Sequence, residues 1–419
     1  MPSSKKRILY VWQSAYPWDV RVEKICMSLV QNGFEVEILA RRGVGESLTA
    51  IEKGIAVHRV GSPSGSLILR ALSLPVPGNP VWSRSIRRRV RAFRPDLVIA
   101  RDIPLALPTA AACKRAGIPW VIDMAEHYPV AMRTWKKYQR NPFTRFAINT
   151  LRVPDRIEKR AVLRADGILP VVEEQKERLI GEYGCRPDKI VPVLNTPETG
   201  RLPKSIPAHK PAGHFGYHGV VIQDRDLLTV VRGFEIAAEQ NPNLTLTIAG
   251  EGESLPDVRA LLCASRHRNR VTLTGRKFKP EDAAALYSAV DYGIVSWVVN
   301  DFTNTTIANK FFDYAAFGKP MVFAETAPMV RLMKTMDCGF GYKGGDPVSC
   351  ADAMLKLVAA NYEKLGTNGR NAVEAQYNWD VDSRRMVHFV TGLIDARAGL
   401  RANAQPGNTT DTIPTQPSP

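Results

Sequence analysis

Asn304 to Val322 reads NTTIANKFFDYAAFGKPMV. Thr305, Thr306, Asn309, Lys310 and Asp313 crowd the opening of a helix expected over 307–316. Gly318-Lys319-Pro320 ends it, and Met321-Val322-Phe323 starts an apolar strand. A helix running straight into a short, wholly apolar strand is the unit of a parallel sheet covered on both faces. The helix start also carries chemistry. Its unpaired N–H groups and a lysine can hold an anion. A carboxylate one turn later can grip vicinal hydroxyls, such as those of a ribose. Phosphate plus ribose is what a nucleotide presents. The plainer alternative is that Thr306 caps the helix and Lys310 is solvated.

The same rhythm extends outward in both directions. Strands are expected at 7–12, 34–40, 97–100, 120–123, 167–171 and 190–194, with helices over 20–32 and 105–116 among the elements between them. In the second half, strands are expected at 214–218, 244–249, 271–274, 292–296, 320–323 and 339–342. Helices are expected there over 227–239, 255–264, 280–289, 307–316, 330–336 and 347–361. The pattern predicts an α/β chain of two tandem, Rossmann-like doubly wound domains with an interdomain cleft. One domain spans 1–197, a polar, Pro-containing linker spans 198–212, and the second domain spans 213–370. A ligand is expected in the cleft, at the carboxyl ends of the strands. Residues 402–419 lack hydrophobic periodicity and read as a disordered tail.

Composition narrows the partners. The 419 residues, 44% of them hydrophobic, suffice for two cores, and no apolar run is long enough to span a bilayer. Ile8 to Trp12 is a strand, too short for a signal-peptide core. The six cysteines are scattered without a C-x-x-C pair, so no zinc site or disulfide framework is indicated and a reducing cytoplasm fits. The net charge is +16, and residues 51–150 hold 17 basic residues against 5 acidic ones. That excess points to an anionic partner near the first half.

Three glycine-containing strand ends precede the opening stretch. Gly216-Tyr217-His218-Gly219 is followed by Arg225, Ala249-Gly250-Glu251-Gly252 comes next, and then Gly275-Arg276-Lys277-Phe278. With residues 309–320, this ordered series resembles the GT-B fold nucleotide-sugar glycosyltransferases, in particular the family 4 (group 1) retaining enzymes. Asp19-x-Arg21-Val22-x-Lys24, Gly33-x-x-Val36, Pro95-Asp96-Leu97-Val98, Asn195-Thr196-Pro197, Gly369-Arg370 and Tyr377-Asn378-Trp379 add to the resemblance, which covers residues 7–395. It implies that the helices of 371–401 cross back to the first domain.

The resemblance also implies roles. Asp313 holds the donor's ribose hydroxyls. Thr305, Thr306, Asn309 and Lys310 face the diphosphate and sugar. Arg225 neutralises the diphosphate as the nucleotide departs. Gly219, Gly250, Gly252 and Arg276 complete the donor-binding set. No cofactor or metal is implied, the nucleotide sugar being a substrate. The chain departs from the family pattern at three places. Thr305 stands where family members often have the first of two glutamates eight positions apart. Val220 stands where many have an arginine. His127 is displaced within Asp123-Met124-Ala125-Glu126-His127. Glu126 and His127 are the catalytic candidates, and Asp19 and Arg21 are acceptor-side candidates. The alternatives are a helix cap with an ion pair for Asp19 and Arg21, and a packing role for His127.

Residues 132–160 hold nine Lys or Arg interleaved with Trp135, Tyr138, Phe143 and Phe146, and residues 84–94 hold six arginines. Basic residues draw a segment to anionic lipid, and aromatics favour the interface. The expectation is a cytoplasmic enzyme, peripheral on the inner membrane face, that passes a sugar to a glycan or lipid-linked acceptor in polysaccharide or glycolipid biosynthesis. A solvated basic face is the competing reading. A sugar-nucleotide epimerase of the same fold and a catalytically degenerate nucleotide-sugar-binding protein are the functional alternatives. No helix-turn-helix, RNA-recognition or zinc-finger pattern supports nucleic acid as a partner.

Overall fold

Ile8-Leu9-Tyr10-Val11 lies fully buried at the centre of a seven-stranded sheet. The computed structural model describes residues 5–17, 19–61, 74–202, 211–278 and 282–403. In spatial order the first sheet runs β3 (Thr49–Glu52), β4 (Ile55–Val60), β2 (Glu35–Arg41), β1 (Arg7–Ala15), β5 (Leu97–Arg101), β6 (Trp120–Met124) and β7 (Gly167–Pro170). All pairs are parallel except β3 with β4. The second sheet runs β10 (Val271–Leu273), β9 (Thr245–Ala249), β8 (His214–His218), β11 (Tyr292–Val295), β12 (Met321–Ala324) and β13 (Gly339–Tyr342), all parallel. Chain order reverses between β1 and β5, and again between β8 and β11. Loops leaving the carboxyl ends of these strands therefore splay apart and open a crevice in each domain.

Helices Pro80–Phe93, Ala106–Ala116 and Val153–Arg164 cover one face of the first sheet, burying Trp82, Ile86, Val90, Ala110, Cys113 and Val162. The other face takes helix Val20–Gln31 and, from the far end of the chain, helix Trp379–Asn403. Met386, Val390 and Ile394 of that last helix join the first domain's core. Gly167 permits this approach, because a Cβ there would lie 2.6 Å from Phe389. The helix enters beside the domain connection: the Trp379 amide donates to the Pro197 carbonyl (2.8 Å) and its indole to Ser28 Oγ (2.8 Å).

The two doubly wound domains are as expected, with three differences of detail. Residues 190–194 form no ladder strand. Val191 and Val193 donate to Ile168 and Pro170 along β7, but Pro192 has no N–H, and the carbonyls of Pro192 and Val193 are taken by Arg385 and Arg21. A hairpin of β3 and β4 adds an edge to the sheet beyond the expected strands, with positive φ at both Lys53 and Gly54 of its turn (51° and 81°). The helix expected from 307 starts at Asn309. Residues 203–210 of the linker, 279–281 at the start of an expected helix, and 404–419 of the expected tail lie outside the described residues. The six cysteines are free, and only Cys263 is exposed. No described helix is long and apolar enough to cross a membrane.

Trp379→Ala empties a buried ring site in the interface between the last helix and the first domain. A loss of about 3–5 kcal/mol is expected from chemical denaturation. A loss below about 1 kcal/mol would show that this helix is not part of the first domain's core.

Candidate active site

The carboxyl ends of the two sheets face each other across a cavity of about 520 Å³. Its first-domain wall is built on Asp123, at the end of β6. This fully buried carboxylate accepts from Tyr10 Oη (2.6 Å), Arg21 Nε (2.8 Å) and Arg101 Nη1 (3.2 Å). Burial alone would raise its pKa, but Arg21 and Arg101 hold it below the usual carboxylate range. Arg21 also donates to the Val193 carbonyl (2.7 Å), so it is anchored on both sides although it borders the cavity. Asp19 caps helix Val20–Gln31 through the Val22 amide (2.9 Å). Asp102, in the left-handed region (φ 52°), accepts from the Ala125 amide (2.9 Å) and so clamps the loop after β6. Burial pushes Asp102 up to about 6, with Arg101 opposing.

That clamped loop presents Glu126 to the cavity. His127 is buried and turned under the loop ahead of helix Asn309–Ala316, where its Nδ1 lies 3.4 Å from Thr305 Oγ1. Burial lowers its pKa to about 3, helped by Arg178 and Arg133, so the ring is neutral at ordinary pH.

The second-domain wall comes from three loops and a helix start. Gly219, Val220 and Arg225 follow β8, and Trp297 and Phe302 follow β11. The Arg225 guanidinium lies 4.9 Å from the Trp297 ring centroid. Burial lowers the Arg225 pKa, while Tyr217, Asp224 and Glu126 act against this. Thr306, Ile307, Ala308, Asn309 and Lys310 complete the wall, with Asp313 one turn on. No side chain caps this helix; the Phe311 amide turns back to the Ala308 carbonyl (3.0 Å), and the Asn309 and Lys310 amides lead the helix at the cavity wall. The Lys310 amine donates to the His218 carbonyl and lies 3.8 Å from the Tyr217 ring centroid. Burial and Arg225 hold it well below its usual pKa, with Asp313 opposing. Burial raises Asp313 to about 6, against the pull of Lys24 and Lys310 and of a hydrogen bond from Tyr287.

The expected site residues divide cleanly. Glu126, Arg21, Gly219, Arg225, Thr306, Asn309, Lys310 and Asp313 line the cavity. Thr305 does not: its hydroxyl donates to the Asp301 carbonyl (2.9 Å) and it packs on His127. Gly250 and Gly252 are also set back. They let the loop after β9 close on the loop after β8, where a Cβ on Gly250 would lie 1.9 Å from the Gly219 oxygen. Arg276 pairs with Asp282 (2.9 Å) beside a smaller hollow of about 160 Å³, which shares Phe278 with the main cavity. Arg101, His218, Trp297 and Phe302 line the cavity without having been singled out from sequence. Their one signal is position, just at or after the ends of strands flanking the two switch points.

Two parallel-sheet domains facing each other across such a cleft define the GT-B architecture. Residues 19–196 match the glycosyl transferase 4-like domain, and residues 214–360 match glycosyl transferases group 1. Together these matches span most of the chain, which belongs to the group 1 glycosyltransferases. Solved structures agree on the fold. Sucrose-phosphate synthase of Thermosynechococcus elongatus superposes with TM-score 0.71 at 14% identity, covering 94% of this chain and 100% of that one. Anabaena HepE in complex with UDP and glucose gives 0.66 at 15%, covering 92% and 100%. WaaG, a glycosyltransferase involved in lipopolysaccharide biosynthesis, gives 0.62 at 12%, covering 92% and 100%. No curated protein matches the chain in sequence.

If Asp313 accepts a ribose hydroxyl in its ionised form, nucleotide affinity should be full above pH 7 and fall as pH drops through about 6. Asp313→Asn should remove the thermal stabilisation that nucleotide sugars give at pH 7.5. Because the folded-state pKa is raised, the ionised carboxylate costs stability above pH 6, and the ligand-free variant should melt no lower than the wild type. An unchanged nucleotide-induced shift would remove Asp313 from the site.

Proposed function

We propose that the chain transfers a sugar from a nucleotide-sugar donor to a glycan or lipid-linked acceptor, with retention, at the cytoplasmic face of the membrane in polysaccharide or glycolipid biosynthesis. The observation that carries this reading is the meeting, in one cavity, of Arg225, Lys310, an uncapped helix start and Asp313 with Glu126 from the opposite domain. The first three suit a diphosphate, and Asp313 suits a ribose. An arriving diphosphate supplies the negative charge that favours the ammonium form of Lys310, so its charge is balanced without a resident metal. HepE, crystallised with UDP and glucose, is a neighbour in fold, which supports a nucleotide-sugar donor here.

In the proposed step, the bond between the anomeric carbon and the diphosphate oxygen breaks. A bond from the anomeric carbon to an acceptor oxygen forms, and the acceptor's proton passes to the Glu126 carboxylate. The diphosphate leaves with the bonding electron pair, stabilised by Arg225, Lys310 and the helix N–H groups. Glu126 acts electrostatically on Arg225. Retention, which rests on the family resemblance, requires the acceptor oxygen to attack on the face of the ring from which the diphosphate departs. His127 and Thr305 hold the Glu126 loop against the second domain. Glu126→Gln should lower turnover by about 10²–10⁴-fold while keeping nucleotide-induced stabilisation. Turnover within a factor of about two of the wild type would show that Glu126 is not the base.

The membrane reading rests on one layer. Helices Pro80–Phe93, Ala106–Ala116 and Val153–Arg164 lie side by side on the same face of the first sheet. Arg84, Arg88 and Arg91, then Lys114 and Arg115, then Arg156, Lys159, Arg160 and Arg164 point outward from them. Next to this layer, helix Pro142–Asn149 exposes Phe143 (86%) and Phe146 (54%), and Leu151 follows. Cations beside bare aromatic rings suit an anionic lipid surface. The protein should sediment with vesicles rich in anionic lipid and not with neutral ones, and Phe143→Ser with Phe146→Ser should weaken the binding. Equal recovery with both vesicle types would contradict it.

A further inference from the structure

A second concavity, of about 460 Å³, lies far from the cleft, at the amino-terminal edge of the first sheet. Three elements wall it: the C-terminal ends of helices Ala106–Ala116 and Val153–Arg164, and the last helix, Trp379–Asn403. Its floor is apolar. Trp120, the first residue of β6, forms it with Cys113 and Pro119, and all three are buried. Its rim is basic. Lys114, Arg164 and Arg397, one from each helix, stand there exposed. Hydrogen bonds fix the walls. The Trp120 indole donates to the Arg164 carbonyl (3.1 Å), and Arg397 Nε donates to the Gly117 carbonyl (3.1 Å). Asp166, the carboxylate in the lining, accepts from the Trp120 amide (3.0 Å).

Three cations thus surround one acid, and neither the Lys114 amine nor the Arg164 guanidinium has a partner among the described residues. Both sit in the last turn of a helix, where a cation also complements the helix dipole. Arg397 lies before the last turn of its own helix, so the dipole gives no reason for its place. A basic rim over an apolar floor matches one ligand chemistry, an anionic head on an apolar body. Ammonium and guanidinium groups pair with phosphate oxygens, and an alkyl chain gains from covering the floor. A free phosphate would use the rim and leave the floor bare. Lys114 and Arg164 also belong to the outward-facing cations of the three-helix layer, so a bilayer lying against that layer brings such a ligand within reach.

We propose that this concavity is a socket for the headgroup of an anionic membrane phospholipid. Lys114, Arg164 and Arg397 hold the phosphate, and the first carbons of the lipid lie against Trp120. This rests on the membrane reading and names the lipid contact that anchors the first domain.

The test titrates the full chain calorimetrically with submicellar dihexanoyl phosphatidylglycerol, with dihexanoyl phosphatidylcholine and with inorganic phosphate. Phosphatidylglycerol should bind more tightly than either of the others. Lys114→Gln with Arg164→Gln should weaken that binding by about tenfold or more, since each cation near a lipid phosphate contributes about 1 kcal/mol. Arg156→Gln with Lys159→Gln removes two charges from the same layer outside the concavity, and should change the affinity by less than about twofold. Both double variants should melt with the wild type, which separates loss of the socket from loss of the fold. Four results would each overturn the proposal: inorganic phosphate binding as tightly as phosphatidylglycerol, phosphatidylcholine binding as tightly, equal losses in the two double variants, or no binding. Sedimentation with anionic vesicles runs alongside. If vesicles capture the wild type while the titration fails, the socket falls and the membrane reading stands. If anionic vesicles are not bound, the membrane reading falls and the socket with it.

Discussion

Asp123 is a carboxylate with no exposed surface, and everything on the first-domain side of the cleft hangs from its compensation. A buried charge without partners costs several kcal/mol, so the fold must bring donors to it. Those donors come from β1 through Tyr10, from the first helix through Arg21, and from the end of β5 through Arg101. Arg21 continues to the Val193 carbonyl, beside the connection to the second domain, and Arg101 continues to Asp102, which clamps the loop of Glu126. One ionic cluster thus fixes the position of the candidate base, the entry of the first helix and the approach to the hinge.

Across the cleft, the domains touch through directed polar contacts. Thr305 and Thr306 reach His127 and the Ala125 carbonyl, Asn195 donates to Asn309 (2.9 Å), and Arg331 pairs with Glu174 (2.6 Å). These contacts are polar, but apolar contact between the domains runs both through the last helix and through Val171, Val172 and Leu194, which join the second domain's core beside the cleft. Thr305 is part of the polar contact. Its hydroxyl is committed to the loop and to His127, so the position where the resemblance leads to the expectation of a carboxylate serves the contact between domains.

The alternation of apolar strands and amphipathic helices made both doubly wound domains legible, because wholly buried parallel strands leave an unmistakable apolar trace. The segment 190–194 shows the limit. It is as apolar as a strand, but Pro192 and the arginines that capture its carbonyls break the ladder, and those arginines are distant in sequence. Within the site, Asp313, Lys310 and Arg225 could be found because they stand at fixed offsets from strand ends. Arg101, Trp297 and Phe302 carry only that positional signal, with no motif in the sequence to mark them. Gly250 and Gly252 are expected in the donor-binding set on the resemblance, yet they let two backbone segments close on each other.

The central claim is that a nucleotide sugar binds between Arg225, the helix start at Asn309 and Glu126. Hydrogen–deuterium exchange with and without a stabilising nucleotide sugar tests it most directly. Exchange should slow in three segments at once, 219–226, 304–313 and 125–128, with the remote helix 80–93 unchanged. Slowed exchange confined to the hollow beside Arg276, or none in 304–313, would contradict it.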